Sequence, residues 1–242
     1  MQRLMALVLA LATVLVGAGV ELRGLSTSTT TTQAPRIPFQ HSASLNWSGY
    51  VASGTTFSSV SGSWVQPVAQ CSKGQQYAAF WVGLDGNTSN TVEQLGTDAD
   101  CLNGQPRYYA WYEMYPAGSV TIPNFTVTPN ETYTASVSYD SATNAFTLTI
   151  SGGKNAPFSI TVPGTGQARS SAEWIAEAPS IGNHILSLTN FGTMNFIGAN
   201  VSTPSAATPW DKVTMTDNRG KPKAVPSALG SGNSFTVTWQ HQ

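Results

Sequence analysis

Apolar and polar residues alternate with a period of two along most of this chain, and no other feature limits its possible folds so much. Phe146, Leu148 and Ile150 alternate with Thr147 and Thr149, and Tyr133, Ala135, Val137 and Tyr139 repeat the pattern, as do Phe235, Val237 and Trp239. Successive side chains of a strand point to opposite faces, so these runs read as half-buried β-strands. Turn-forming clusters separate them at residues 140–144, 151–154 and 230–233. No stretch carries a helical stripe, and the 22 Gly and 14 Pro would interrupt one. The expected fold is therefore all-β, an antiparallel β-sandwich of two sheets.

Composition narrows the function classes. Only 10% of the 242 residues are charged, and 11 Lys+Arg against 12 Asp+Glu leave a net charge of -1. Nucleic-acid binding needs a basic stripe that is missing here. Coiled coils need charged heptads, also missing. Seven Trp, eight Tyr and nine Phe supply core material that a disordered chain would lack. Nothing calls for an obligate partner subunit, so a monomer is expected.

Arg3 precedes an uncharged apolar run from Leu4 to Val16, followed by the small residues Gly17 and Ala18. That is the pattern of a secretory signal, with cleavage after Ala18, and residues 1–24 are assigned to it. The other reading is an uncleaved anchor at the lower edge of spanning length. Cleavage leaves no stable membrane association. Residues 25–37 hold the Ser/Thr-rich stretch LSTSTTTTQAP, a linker or short pro-segment that by composition cannot bury a core. A single domain is expected over 38–242. Cys71 and Cys101 form an even pair, which in an oxidising compartment reads as one disulfide. His41, His184 and His241 are scattered and offer no ligand spacing, so neither a metal nor another cofactor is expected.

Two stretches depart from simple alternation. From Arg107 to Tyr115, Tyr109, Trp111, Glu113 and Tyr115 share one face while Tyr108, Ala110, Tyr112 and Met114 share the other. Large side chains on both faces fit either a strand with core behind it and a lined cleft in front, or a strand buried between layers. From Ser171 to Pro179, Glu173, Ile175 and Glu177 share a face opposite Ala172, Trp174 and Ala176. A solvated face is one reading of those glutamates. The other is a buried carboxyl whose raised pKa suits acid–base work.

Several catalytic plans are absent: no G-x-S-x-G elbow, no matched pair of Asp loops and no phosphate-cradling loop. Carboxylate chemistry remains, drawn from Asp85, Asp98, Glu113, Glu173 and Glu177. A retaining glycanase would pair Glu113 with Glu173 across about 5–5.5 Å. A peptidase would use a Glu to activate water and a neutral donor, such as Gln94, to hold the oxyanion. A non-catalytic carbohydrate-binding module that keeps the aromatic cleft is the third possibility.

Five ordered motifs resemble one family, the eqolisins, which are glutamic endopeptidases active at acid pH. They are Asn46-Trp47-Ser48-Gly49-Tyr50, Phe80-Trp81-Val82-Gly83-Leu84-Asp85-Gly86, Gln94 with Gly96, Tyr109-Ala110-Trp111-Tyr112-Glu113 followed by Tyr115-Pro116, and Ala172-Glu173-Trp174-Ile175. The resemblance implies a sandwich of two bent sheets and polypeptide substrates. It makes Glu173 the general base and Gln94 the oxyanion donor, with Asp85, Asp98 and Glu113 close behind them. Trp47, Trp81, Tyr109 and Trp111 would line the substrate cleft. Glu93 adjoins Gln94, and alternation lets only one of the two face that cleft.

Overall fold

The structure, a computed structural model, describes residues 31–40, 42–202 and 210–242. The expected signal sequence lies outside the described residues. Thirteen strands of five or more residues form the body: β1 Trp47–Ser53, β2 Ser59–Val65, β3 Ala79–Leu84, β4 Val92–Leu102, β5 Gln105–Tyr115, β6 Thr132–Asp140, β7 Ala145–Gly152, β8 Phe158–Pro163, β9 Ser171–Glu177, β10 Thr193–Ser202, β11 Trp210–Thr216, β12 Pro222–Pro226 and β13 Phe235–Trp239. Among the described residues the one helical element is a 3-10 turn at Ser231–Asn233. The all-β expectation holds.

Two antiparallel sheets pack face to face. The first runs β11-β1-β9-β3-β4-β5. The second runs β8-β7-β6-β2-β10-β13-β12 and reaches β11 again through β12. β11 therefore belongs to both sheets and closes the sandwich along one edge. The alternating runs seen in the sequence supply the core between them, with Val137, Leu148, Phe146 and Phe235 meeting Phe80, Val82, Leu95 and Trp174 from the first sheet. Polar tips of the buried indoles are satisfied across the layers: Trp174 Nε1 donates to the Ser61 carbonyl at 2.8 Å, and Trp64 Nε1 to Thr97 Oγ1 at 2.8 Å. Buried Trp N–H groups need such partners.

The first sheet is also buried on its outer face, and that decides the site. A second apolar cluster there contains Trp47, Val51, Trp81, Trp111 and Ile175. The Arg107–Tyr115 stretch is thus doubly covered. Tyr112 stacks on Phe158 at 5.8 Å on the core side, while Trp111, 1% exposed, joins the outer cluster. Cys71 and Cys101 are bonded, with 5.4 Å between their Cα atoms, and fasten the chain ahead of β3 to the end of β4.

Candidate active site

The register of the first sheet sorts its outer face into three cross-strand rows. Directly opposed residues of an antiparallel pair lie on the same face, so each row is a set of neighbouring side chains. The first row runs Glu173–Gly83–Gln94–Glu113, from β9 through β3 and β4 to β5. The second is Ile175–Trp81–Gly96–Trp111, and the third Glu177–Ala79–Asp98–Tyr109. Trp47 lies opposite Glu177 on β1. The structure brings Glu173, Gln94 and Glu113 to one level, and it points Glu93 to the other face.

Gly83 stands between Glu173 and Gln94. A Cβ there would come within 2.9 Å of the Trp81 ring and 3.0 Å of Gln94 Cβ. Any other residue would fill the gap between the carboxyl and the amide.

Asp98, Asp100, Glu113, Glu173 and Glu177, the acids of this face, are all buried. Neither Glu173 oxygen has a hydrogen-bond partner. Burial holds its pKa well above the usual carboxylate range; the Ser171 hydroxyl opposes that, and the Asp85 and Glu93 charges add to it. Burial likewise pushes Glu113 up to about 8. Glu177 is also raised by burial, although it accepts from Trp81 Nε1 at 2.8 Å and Asn46 Nδ2 at 3.4 Å.

The third row is a structural brace. The Tyr109 hydroxyl lies 2.8 Å from Asp98 Oδ2 and 3.0 Å from Asp100 Oδ2. One hydroxyl proton cannot serve two carboxylates, so the trio needs an additional proton. Burial raises both acids, Asp98 well above the usual carboxylate range and Asp100 up to about 7, so the pair holds it between them. Asp98 Oδ1 also takes the Trp111 indole N–H at 2.6 Å. Trp81 and Trp47 meet edge to face at 5.0 Å.

Asp85 is not on this face. Its positive φ of 71° ends β3, a conformation that Asp tolerates. Its carboxylate accepts the Arg169 N–H at 2.6 Å and the Ser170 N–H at 2.8 Å. It therefore positions the start of β9, and its charge adds to the raised pKa of Glu173.

The chain before β1 crosses the face. The Gln33 N–H donates to Glu113 Oε2 at 3.0 Å, and Gln94 Nε2 donates to the Gln33 carbonyl at 2.7 Å and to Glu113 Oε2 at 3.2 Å. Trp47 Nε1 reaches the Ala34 carbonyl at 3.1 Å, and Asn46 Nδ2 the Pro35 carbonyl at 3.2 Å. Gln33 is 1% exposed. Composition alone starts the packed body near Pro38, because the stretch before it is mostly Ser and Thr. They are held instead through the main chain, which composition does not register.

A profile of the Peptidase A4 family matches residues 45–239, most of the chain. This chain belongs to that family, the eqolisins. Aspergillopepsin-2 of Aspergillus niger is 27% identical over 220 residues, covering 81% of this chain and 78% of the relative. Scytalidopepsin B of Scytalidium lignicola is 34% identical over 100 residues, covering 41% and 37%. A crystal structure of scytalido-glutamic peptidase with a transition state analog inhibitor superposes with a TM-score of 0.70 at 21% identity, over 81% of this chain and 98% of that one. Aspergilloglutamic peptidase from Aspergillus niger gives 0.58 at 27% identity, over 68% and 99%. This eqolisin is accordingly a glutamic endopeptidase acting on polypeptides.

Family membership decides against the glycanase and the binding module. Among the described residues no three His, Cys, Asp or Glu side chains gather as a metal-holding group. The sequence alone assigns no role to Asn46, Asp100 or Gly83. Each lies inside or beside a recognised motif, but only the folded register gives it neighbours.

Proposed function

We propose that this eqolisin is a secreted, monomeric peptidase acting in acid, in which Glu173 activates water and Gln94 stabilises the tetrahedral oxyanion. The observation that carries the reading is Gln94 Nε2 holding a peptide carbonyl, that of Gln33, at 2.7 Å in the same row as Glu173. A carbonyl so held is polarised, and its oxygen has its donor in place before charge develops. Gln94 Oε1 has no partner, so the same amide can accept from the attacking water. The Glu173 carboxylate takes the water proton as the C–O bond forms. The carboxylic acid then returns it to the leaving nitrogen as the C–N bond breaks.

A general base must be ionised, and burial opposes that in Glu173. Opening the row to water and substrate lowers the desolvation and brings the group back toward acid solution, where a carboxyl near its pKa works best. Arg3 with the apolar run behind it, together with the Cys71–Cys101 bond, supports secretion. No helix among the described residues is long and apolar enough to cross a membrane.

The test is hydrolysis of a denatured protein in mildly acidic buffer. Glu173→Gln should abolish activity, and Gln94→Ala should lower kcat by about 10²–10³. Undiminished hydrolysis by either folded variant would overturn the assignment.

A further inference from the structure

Where β11 turns into β12, a cavity of about 430 Å³ opens between that turn and the short hairpin that follows β9. Ile37, Leu45 and Ile185 give it an apolar lining, and Lys223, Thr216 and Asp217 a polar one. None of these residues belongs to the three catalytic rows.

Two of the polar groups are left unmatched. Lys223 is 9% exposed, yet its ammonium makes no hydrogen bond or close ion pair, and the Asp217 charge acts on it only through space. Burial lowers its pKa from the ordinary lysine value, and in acid solution the group is a cation. Thr216 is 5% exposed, and its Oγ1 has no partner. The neighbouring acceptors are directed elsewhere. Asp217 Oδ1 accepts the Arg219 and Lys221 N–H groups at 2.9 and 2.8 Å, and the Gln242 main-chain oxygen lies 2.7 Å from His241 Nδ1. Buried polar groups are nearly always paired, so a cation and a hydroxyl left open in one cavity call for an acceptor from outside the chain.

We propose that this cavity binds a carboxylate carried on a small apolar body, with Lys223 and Thr216 holding the carboxylate and Ile37, Leu45 and Ile185 the body. Charge selects the class. One cation with a neutral donor matches a single negative charge, and Asp217 repels a dianion such as sulfate. An α-carboxyl group ionises near pH 3.3–3.7, so it is already an anion in mildly acidic solution. An endopeptidase makes such a group at every cut, on the new C-terminal residue of its product. Free organic acids offer the same carboxylate without a peptide group. Asn183 and Asn218 line the same cavity and present side-chain amides that a peptide group would use.

Titration calorimetry of the full chain at about pH 5.5, where carboxylates are ionised, tests this with three probes: N-acetyl-leucine, N-acetyl-leucinamide and 4-methylpentanoate. Both acids should bind, and the amide at least tenfold more weakly than N-acetyl-leucine, because it lacks the charge that pairs with Lys223. Lys223→Met keeps the length of the side chain without its charge and should weaken both acids at least tenfold. Thr216→Val should weaken them severalfold. Tighter binding of N-acetyl-leucine than of 4-methylpentanoate assigns the site to peptide ends, and the reverse or equal binding assigns it to free organic acids; either supports a carboxylate site. No binding of either acid, or an amide that binds as well as its acid, would overturn the proposal. So would binding that survives Lys223→Met, as occupation of the catalytic groove would. If Lys223→Met does not fold, the comparison of acid with amide on the parent and on Thr216→Val decides in the same way.

Discussion

Glu173 and Gln94 stand in one cross-strand row, on strands that do not pair with each other, with Gly83 between them. Gly83→Ala puts a methyl group within 3.0 Å of Gln94 Cβ and 3.2 Å of the Glu93 carbonyl. Steady-state kinetics should show kcat reduced tenfold or more, and chemical denaturation a loss of about 1–3 kcal/mol from overpacking. Wild-type turnover would mean that the gap is not where the reaction occurs.

Stability should fall as pH rises. Burial raises Glu113 from 4.5 to about 8, Glu93 from 4.5 to about 9 and Asp100 from 3.8 to about 7. Between the ordinary and raised values the native state binds more protons than the unfolded chain, so unfolding free energy drops with pH. The contribution is complete below about pH 4 and is lost progressively up to about pH 9. Calorimetry from pH 3 to 8 should place the highest Tm at the acid end. A Tm that climbs from pH 4 to 7 would contradict these environments.

Function and stability pull apart at Glu173 for the same reason. Glu173→Gln replaces a buried acid with a neutral group of its shape. Its Tm should exceed that of the parent at pH 7, with the gap closing toward pH 4. An equal shift at both pH values would mean that Glu173 is not held protonated.

Asp85 ties the start of β9 to the end of β3, accepting the Arg169 and Ser170 N–H groups on different oxygens. Asp85→Asn retains one acceptor and loses the other. Urea unfolding should register about 1–3 kcal/mol, and Asp85→Ala more. Both should lower kcat as Glu173 shifts and, by removing a charge that raises Glu173, move the acid limb of the pH profile to lower pH.

Opening the Cys71–Cys101 bond, which closes a separation of 30 residues, should cost about 3–4 kcal/mol in the chain-entropy picture. Cys71→Ala with Cys101→Ala, measured by thermal unfolding, checks it.

Local pattern carried much of this protein. Alternation in Phe146–Ile150 or Tyr133–Tyr139 requires strands whatever the rest of the chain does, because side-chain direction along a strand has a period of two. The same rule places Glu173, Ile175 and Glu177 on one face, and the five motifs point to the family. Which strands become neighbours is not local. Glu173 reaches Gln94 through Gly83 because β9 inserts between β1 and β3, and that register follows from burying Trp174 on one face and Trp81 on the other. Tertiary structure also turned Asp85 away from the outer face and laid Gln33 across it, through main-chain hydrogen bonds that leave no mark on residue type.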